Sequence, residues 1–340
     1  MTKVRMASIL AIVAAFCIVS TSFGQAAGKT GTAPTAKKGS ISIKYSTWAS
    51  DGEAAYEGMK LFKQLVEEGS KGVIAVYLFP SNQAGKTEEQ FEQVSMNTLQ
   101  MMSSGNPGST KLEYLSLPYL MDTNAQFSAV LNSELGKRFN QEILKDKGVI
   151  NIDILPRNPR IISLNKEVNS PADLRGVKLR VPERDYYVET FKAFGSNPTP
   201  MDMGEVYSAI QTGVVSGQEN PIETIVSYGF QKICKYLIIT NHIVKPAFVA
   251  INDEFFKSLS PEYQKLVKDS CAAAREYAEK YMNEQMENYY KICRDAGMKV
   301  IQPNLAPFKK ATQKVRDTLG VKAWGEDGYK EILKIIASSK

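Results

Sequence analysis

The chain alternates between short apolar segments and longer amphipathic ones. Apolar residues between positions 53 and 68 recur with the spacing of one helical face, which predicts a helix there. Residues 41–45 (ISIKY) alternate between apolar and polar, as in a half-buried strand. By the same criteria, further helices are predicted at 185–194, 204–212 and 260–296, and further strands at 73–78, 99–102, 149–155, 160–164, 177–181, 214, 237–240 and 247–251.

This order of elements predicts the α/β fold class, because strands separated by helices favour parallel pairing with right-handed crossovers. A chain of 340 residues with 43% hydrophobic content can form about two domains. The run 260–296 starts at Ser260-Pro261 and stops before Gly297, which are typical helix boundaries. A helix of this length, about 54 Å, is longer than one small domain is wide. We therefore expect two lobes with a long helix crossing both.

Residues 1–24 have the composition of a secretory signal peptide. Lys3 and Arg5 precede an apolar segment at 7–19, and small residues follow it. This segment is too short for a good membrane span, and residues 25–40 are small and polar, as in a flexible tether. The sequence therefore predicts a secreted protein that is not itself membrane-spanning.

The charge distribution favours a small ligand over nucleic acid. Removal of Lys3 and Arg5 with the signal peptide lowers the formal charge from +6 to +4. The remaining basic residues are interspersed with acidic ones and form no block that could track phosphates. A mildly positive protein of this kind suits a small acid.

The cysteines leave two interpretations open. Besides Cys17 in the signal peptide, the chain has Cys234, Cys271 and Cys293. The last two lie about 33 Å apart on the predicted long helix, so they cannot bond to each other. An oxidising compartment would permit one bridge to Cys234, but buried thiols fit their apolar surroundings better.

Patterns typical of enzymes and metal sites are missing from the sequence. It contains no nucleophile elbow, phosphate loop, GxGxxG or paired-cysteine motif, and its only histidine, His242, excludes a multi-histidine metal site. We therefore predict no catalytic residue, metal or cofactor. A secreted receptor or enzyme that acts on an organic acid is one hypothesis for its function.

Two residues at strand ends predict an anion site. Arg180 lies near the carboxyl end of the strand 177–181, which Pro182 terminates, and a side chain there points into the crevice where α/β sheets bind ligands. Its planar guanidinium matches a carboxylate with two hydrogen bonds. Asn220 precedes Pro221 at another strand-to-helix junction, where it could cap the helix or form the opposite wall of the site.

Several motifs resemble the substrate-binding proteins of tripartite ATP-independent periplasmic (TRAP) transporters over residues 41–320. They are GVKLRVPE (176–183), NPTPMDMGEVYSAIQTGVVSGQENP (197–221), TNH (240–242), LPYL (117–120) and PADLRG (171–176). The resemblance implies a periplasmic protein whose two α/β lobes close on an organic acid and deliver it to membrane permease subunits driven by an ion gradient. An ATP-driven uptake protein is the alternative within transport, but it lacks this arginine motif.

The resemblance also implies lobe boundaries and ligand contacts. We expect one lobe at 41–157 plus 246–285, and the other at 158–245 plus 286–340. Residues matching the family motif are Arg180, which would grip the ligand carboxylate, Arg160, a second arginine of the pocket, and Asn220, which would bond the same carboxylate. The ligand would be a sugar acid, a hydroxy acid or a dicarboxylate.

The other candidate site residues each have a structural alternative. Glu183 would either neutralise Arg160 or accept hydrogen bonds from the ligand, and Arg160 could instead pair with Asp153. Trp48 would be a pocket wall or part of the core, and Asn106 a turn residue or a ligand donor. The last two candidates, Met203 and Tyr207, would either pack in the core or contact the ligand.

Overall fold

The computed structural model describes residues 41–339, so the predicted signal peptide and tether lie outside the described residues. The strands are β1 (Ile41–Thr47), β2 (Ile74–Phe79), β3 (Met101–Ser104), β4 (Val149–Leu155), β5 (Arg160–Leu164), β6 (Lys178–Val181), β7 (Asn197–Pro200), β8 (Gly217–Asn220), β9 (Tyr236–Ile243), β10 (Ala247–Asn252) and β11 (Lys299–Ile301). The helices are α1 (Ala54–Gly69), α2 (Thr87–Ser95), α3 (Thr110–Glu113), α4 (Asn124–Asn132), α5 (Glu134–Lys147), α6 (Asp185–Ala193), α7 (Val206–Gln211), α8 (Ile222–Ser227), α9 (Asp253–Ser258), α10 (Pro261–Asp295) and α11 (Ala306–Ser338), which is interrupted at Gly325.

These strands form two sheets, which confirms the α/β class. The first sheet has the order β2-β1-β3-β10-β4 and the second the order β11-β9-β5-β8-β6-β7. Pairing is parallel around β1 and β6, but β10 runs antiparallel to β3 and β4, and β5 runs antiparallel to β8 and β9. The expectation of uniformly parallel pairing was therefore wrong for these two strands.

The two reversed strands, β5 and β10, share one feature of the chain path. Each is the first strand after the chain passes from one sheet to the other, through residues 156–159 and 244–246 respectively. Both connections are short, contain no helix, and join strands of different sheets. The alternation of strands and helices, on which the parallel prediction rested, is interrupted at both places.

The long helix α10 crosses both lobes, as predicted. The Ser260 hydroxyl accepts a hydrogen bond from the Tyr263 amide at 3.3 Å, and Gly297 follows the helix with a φ of +88°. The first half of the helix buries Val267 and Ala274 beside the first sheet, whereas the second half buries Tyr289 in a separate cluster with the second sheet. None of the helices in the described part of the chain is long and apolar enough to cross a membrane.

All three cysteines in the described residues are buried free thiols, as the buried-thiol interpretation predicted. The structure differs from the predictions for two other strands. The strand predicted at Val214 is wrong, because that side chain is 54% exposed and the strand begins at Gly217. A Cβ at Gly217 would lie 2.2 Å from the Ser163 carbonyl oxygen, so only glycine permits this close pairing with β5. Strand β3 begins two residues later than predicted.

Close packing of α1 on α10 generates a stability prediction. A Cβ at Gly58 would lie 2.9 Å from the Ala274 carbonyl oxygen and 3.2 Å from Ala278 Cβ. Gly58→Val should therefore lower the free energy of unfolding by about 1–3 kcal/mol through overpacking. Gln64→Val, on the exposed face of α1, is the control and should cost less than about 0.5 kcal/mol. Equal effects of the two substitutions in urea unfolding would contradict this packing.

Candidate functional site

A cavity of about 300 Å³ lies between the two sheets. Its walls come from the loops that follow β1, β2 and β3 in the first sheet, from the edge of the second sheet where β6 and β8 end, and from both inter-sheet connections. Seven of the eight predicted site residues line it: Trp48, Asn106, Arg160, Arg180, Glu183, Met203 and Asn220. Tyr207 does not line it, since it lies on α7 and stacks against Phe230.

Strand pairing explains why residues distant in sequence meet here. Arg180 pairs with Gln218 across β6 and β8, and Ile161 pairs with Asn220 across β5 and β8. Because β5 is reversed, its first residue, Arg160, lies at the edge where the neighbouring strands end. The two predicted arginines and the predicted asparagine therefore share one edge of the second sheet.

Arg180 is a buried cation whose hydrogen-bond partner is a backbone carbonyl. Its side chain is 3% exposed, and both Nε and Nη2 donate to the Met201 carbonyl oxygen, at 2.9 and 2.6 Å. Burial lowers the pKa of Arg180 to about 10; the Glu219 charge opposes this shift, and the nearby Arg160 charge adds to it. No carboxylate within residues 41–339 forms an ion pair with it. A buried guanidinium that has no ion-pair partner is a candidate anion-binding group.

Arg160, in contrast, is already neutralised within the protein. It forms a bidentate ion pair with Glu219, through Nε to Oε2 at 2.5 Å and Nη2 to Oε1 at 2.7 Å. The predictions that Asp153 or Glu183 would be its partner were wrong: Asp153 pairs with Arg275, and the Glu183 side chain is exposed. Burial acts to raise the pKa of Glu219, but Arg160 and His242 hold it below its ordinary value.

His242 completes this buried group. Its Nε2 lies 3.0 Å from Glu219 Oε2, and its Nδ1 lies 2.8 Å from Thr240 Oγ1. Burial lowers the pKa of His242, and the positive charge of Arg160 adds to that effect. The imidazole is therefore neutral at pH 7, and its role is to hold the Glu219 carboxylate in place.

Asn220 ends β8 and does not cap the next helix. The first residue outside α8 is Pro221, and no side chain caps that helix, so the capping alternative was wrong. Asn220 Nδ2 donates to Gln218 Oε1 at 2.5 Å, and Met203 Sδ lies 3.8 Å from the same nitrogen. A thioether is a weak acceptor, so a carboxylate oxygen could take its place.

Asn106 is a turn residue whose amide is also engaged with a carboxylate. Its Oδ1 accepts from the Gly108 amide at 2.8 Å, which forms the turn, and its Nδ2 donates to Glu88 Oε2 at 2.5 Å. The turn interpretation of Asn106 is therefore confirmed.

Arg157 lines the cavity but was missed in the sequence. It lies in the connection 156–159, is buried, and stacks its guanidinium over Trp48 at 4.7 Å from the ring centroid. Its Nη2 donates to Thr224 Oγ1 at 2.9 Å. Two prolines, Pro156 and Pro159, confine this arginine to a short extended segment, and that signal could have revealed it.

Charged residues also join the two lobes across the mouth of the cavity. Arg184, before α6, bonds Glu113 through Nε at 2.8 Å and contacts Glu88 through Nη2. Lys245, in the second inter-sheet connection, lies 3.3 Å from Glu113 and donates to the Tyr186 hydroxyl at 2.5 Å. These contacts connect α2 and α3 of one lobe to α6 of the other.

Comparison with known proteins now identifies the family. Residues 45–322 match the family model described as bacterial extracellular solute-binding protein, family 7 (DctP). The chain belongs to this family. The matched segment contains every predicted site residue and both inter-sheet connections.

Named relatives and solved structures agree with this assignment. The chain is 29% identical to the sialic acid-binding periplasmic protein SiaP of Vibrio cholerae over 275 residues, which cover 80% of this chain and 86% of SiaP. It is 27% identical to a TRAP periplasmic solute-binding protein of Roseobacter denitrificans with bound L-galactonate, with a TM-score of 0.78 and coverage of 88% and 98%. A TRAP protein of Actinobacillus succinogenes, also with bound L-galactonate, has 25% identity, a TM-score of 0.82 and coverage of 88% and 100%.

The buried histidine of this family member generates a pH prediction. Because the pKa of His242 is lowered in the folded protein, the unfolded chain binds its proton first, and stability is lost as the pH falls through about 6.5. His242→Gln should remove that part of the loss. Urea unfolding at pH 7.5 and 5.5 should show a drop in the free energy of unfolding that is about 1 kcal/mol smaller in the variant than in the wild type.

His242 is the only histidine in the chain, so no other imidazole contributes to the difference. An equal drop in the two proteins would mean that the imidazole titrates alike in the folded and unfolded states.

Proposed function

We propose that this protein binds a small organic acid in the periplasm and delivers it to the membrane subunits of an ion-gradient-driven permease. The observation that carries the proposal is the buried guanidinium of Arg180, which lines the cavity and, among residues 41–339, has only a carbonyl oxygen as its hydrogen-bond partner. A ligand carboxylate would supply the missing anion through two charge-assisted hydrogen bonds. Periplasmic names among the relatives support the location and the proposed cleavable signal peptide at 1–24.

The proposed clamp has three members. Arg180 binds the carboxylate directly, and Asn220 donates to it from the end of β8, replacing its contact with Met203. Arg160 contributes its charge to the same edge of the sheet while Glu219 fixes its orientation. Trp48, Glu183 and Asn106 then form walls around the rest of the ligand.

Relatives with known ligands support an organic acid. SiaP is named for sialic acid, and the Roseobacter and Actinobacillus proteins hold L-galactonate. For this chain we propose the same broad class, namely a sugar acid, a hydroxy acid or a dicarboxylate. A turnover assay on the bound acid would distinguish transport from the alternative of a secreted enzyme.

Closure of the lobes is part of the proposal. The lobes are residues 41–157 plus 246–285 and residues 158–245 plus 286–340, and the segments between their sheets serve as the hinge together with α10. Contacts such as Arg184 to Glu113 would form as the lobes meet.

The clamp is tested by substitution of its central residue. Arg180→Ala should weaken binding of the cognate acid at least about tenfold, because loss of one member of a desolvated charge pair costs about 2–5 kcal/mol. Arg180→Lys should also bind poorly while folding normally, since an ammonium lacks the two-bond geometry. Asn220→Ala should cost less, because it removes a neutral donor. Calorimetric titration measures all three.

Arg138→Ala, on the exposed surface of α5, is the matched control and should bind like the wild type. If Arg180→Ala binds the acid within twofold of the wild type, the carboxylate is held elsewhere.

Closure is tested by small-angle scattering. The radius of gyration should fall when the cognate acid is added at saturating concentration, because the lobes move together around the ligand. Arg180→Ala should show no change at the same acid concentration. An unchanged wild-type profile at saturation would argue against the hinge.

A further inference from the structure

Within residues 41–339, three sets of interacting charges lie beside the cavity, and the buried members of the first set include one cation in excess. Its buried members are Arg160 and Arg180 with the carboxylate of Glu219, while Asp202, which is half-buried, also acts on the Arg180 charge. His242 adds no charge to this set, because its buried imidazole is neutral at pH 7. Two guanidinium groups therefore share one carboxylate, and this edge of the cavity has room for one anion.

The second set is balanced. Lys245 and Arg184 both contact Glu113, and Arg184 also contacts Glu88. Two cations face two carboxylates across the mouth of the cavity. A ligand anion placed here would have to displace an existing carboxylate, so this set does not favour a second acidic group.

The third set surrounds Arg157 and has one cation against two carboxylates, Glu53 and Glu223, so it offers no cation in excess. The Thr224 hydroxyl that accepts from Arg157 itself donates to Glu53 Oε2 at 2.9 Å. A second buried carboxylate, Glu223, lies near enough to interact with the Arg157 charge. Both carboxylates take their hydrogen bonds from other donors: Glu223 from Asn158 at 2.8 and 3.1 Å, and Glu53 from Thr224 and Ser227.

Two carboxylates therefore more than offset the charge of Arg157, but within residues 41–339 most of its N–H donors have no acceptor. A guanidinium has five N–H groups, and one hydrogen bond, to Thr224, is formed within the described residues. Stacking on Trp48 holds the plane of the group in place at the cavity wall. Neutral acceptor oxygens would satisfy these donors without adding a charge.

We propose that the pocket selects a monocarboxylate whose remote end carries hydroxyl groups, and that Arg157, stacked on Trp48, is the residue that binds those hydroxyls. This inference rests on the proposed function, in which Arg180 holds the carboxylate. It narrows the ligand to a polyhydroxylated acid, because a dicarboxylate would bring a second anion to a region that has no cation in excess. A site built to hydrogen-bond a hydroxyl discriminates strongly against an analogue without it.

The first test uses the wild-type protein and calorimetric titration with five acids: gluconate, galactonate, glucuronate, hexanoate and adipate. The tightest of the three sugar acids should bind at least about a hundredfold more tightly than hexanoate, which has the carboxylate but no hydroxyl. Adipate should bind within about threefold of hexanoate, since its second carboxylate finds no partner. Adipate binding more than tenfold tighter than hexanoate would overturn the inference.

The second test removes the donors of Arg157. Arg157→Met keeps a long apolar stem over Trp48 and should weaken binding of the tightest sugar acid at least about tenfold, the loss expected for about two hydrogen bonds. Its affinity for hexanoate should stay within threefold of the wild type. Arg294→Met, on the exposed face of α10, is the matched control and should change neither affinity.

These outcomes separate the two proposals. If Arg180→Ala loses binding but Arg157→Met binds the sugar acid within twofold of the wild type, the proposed function stands and the role of Arg157 is overturned. If no acid binds, or if Arg180→Ala binds every acid as the wild type does, the proposed function fails and this inference fails with it. The adipate comparison uses the wild type alone, so it does not depend on the folding of any variant.

Discussion

The sharing of one buried carboxylate by two arginines is the constraint on which the site depends. Glu219 neutralises Arg160 through a bidentate pair, and this leaves Arg180 buried with a carbonyl oxygen as its partner. A buried guanidinium without an ion-pair partner of its own is costly, which favours binding of an anion beside Arg180. In the proposed mechanism the ligand carboxylate becomes the ion-pair partner of Arg180. This interaction would form in the cavity between the two lobes.

The positions of Arg160 and of the residues around it follow from the two reversed strands, β5 and β10. Because β5 runs antiparallel to β8, Ile161 pairs with Asn220 at the end of β8, and Arg160, the first residue of β5, lies next to that pair. The same passages between sheets that reverse β5 and β10 also place Arg157 and Lys245 at the cavity wall. The two connections proposed as the hinge therefore also contain charged residues of the pocket. Contact of a ligand with these residues would depend on the relative position of the two lobes.

Buried polar groups rigidify the region around this hinge. Glu53 at the start of α1 accepts hydrogen bonds from Thr224 and Ser227 of α8, and Glu223 of α8 accepts from Asn158 of the first connection. Burial raises the pKa of Glu53, and the neighbouring Glu223 charge adds to the effect. The two lobes are thus joined by satisfied hydrogen bonds as well as by α10, and such networks favour one arrangement over others.

The sequence by itself determined the α/β class, the crossing helix, and the strand-end positions of Arg180 and Asn220, because these depend on local periodicity, caps and proline. It also indicated the family, through motifs spread over most of the chain. Only the tertiary structure decided which charges pair. Glu219 as the partner of Arg160, the neutral His242 and the stacking of Arg157 on Trp48 join residues up to 109 positions apart. Local patterns carry no information on such pairs, since the pairs depend on strand order and direction, and β5 and β10 departed from the expected direction.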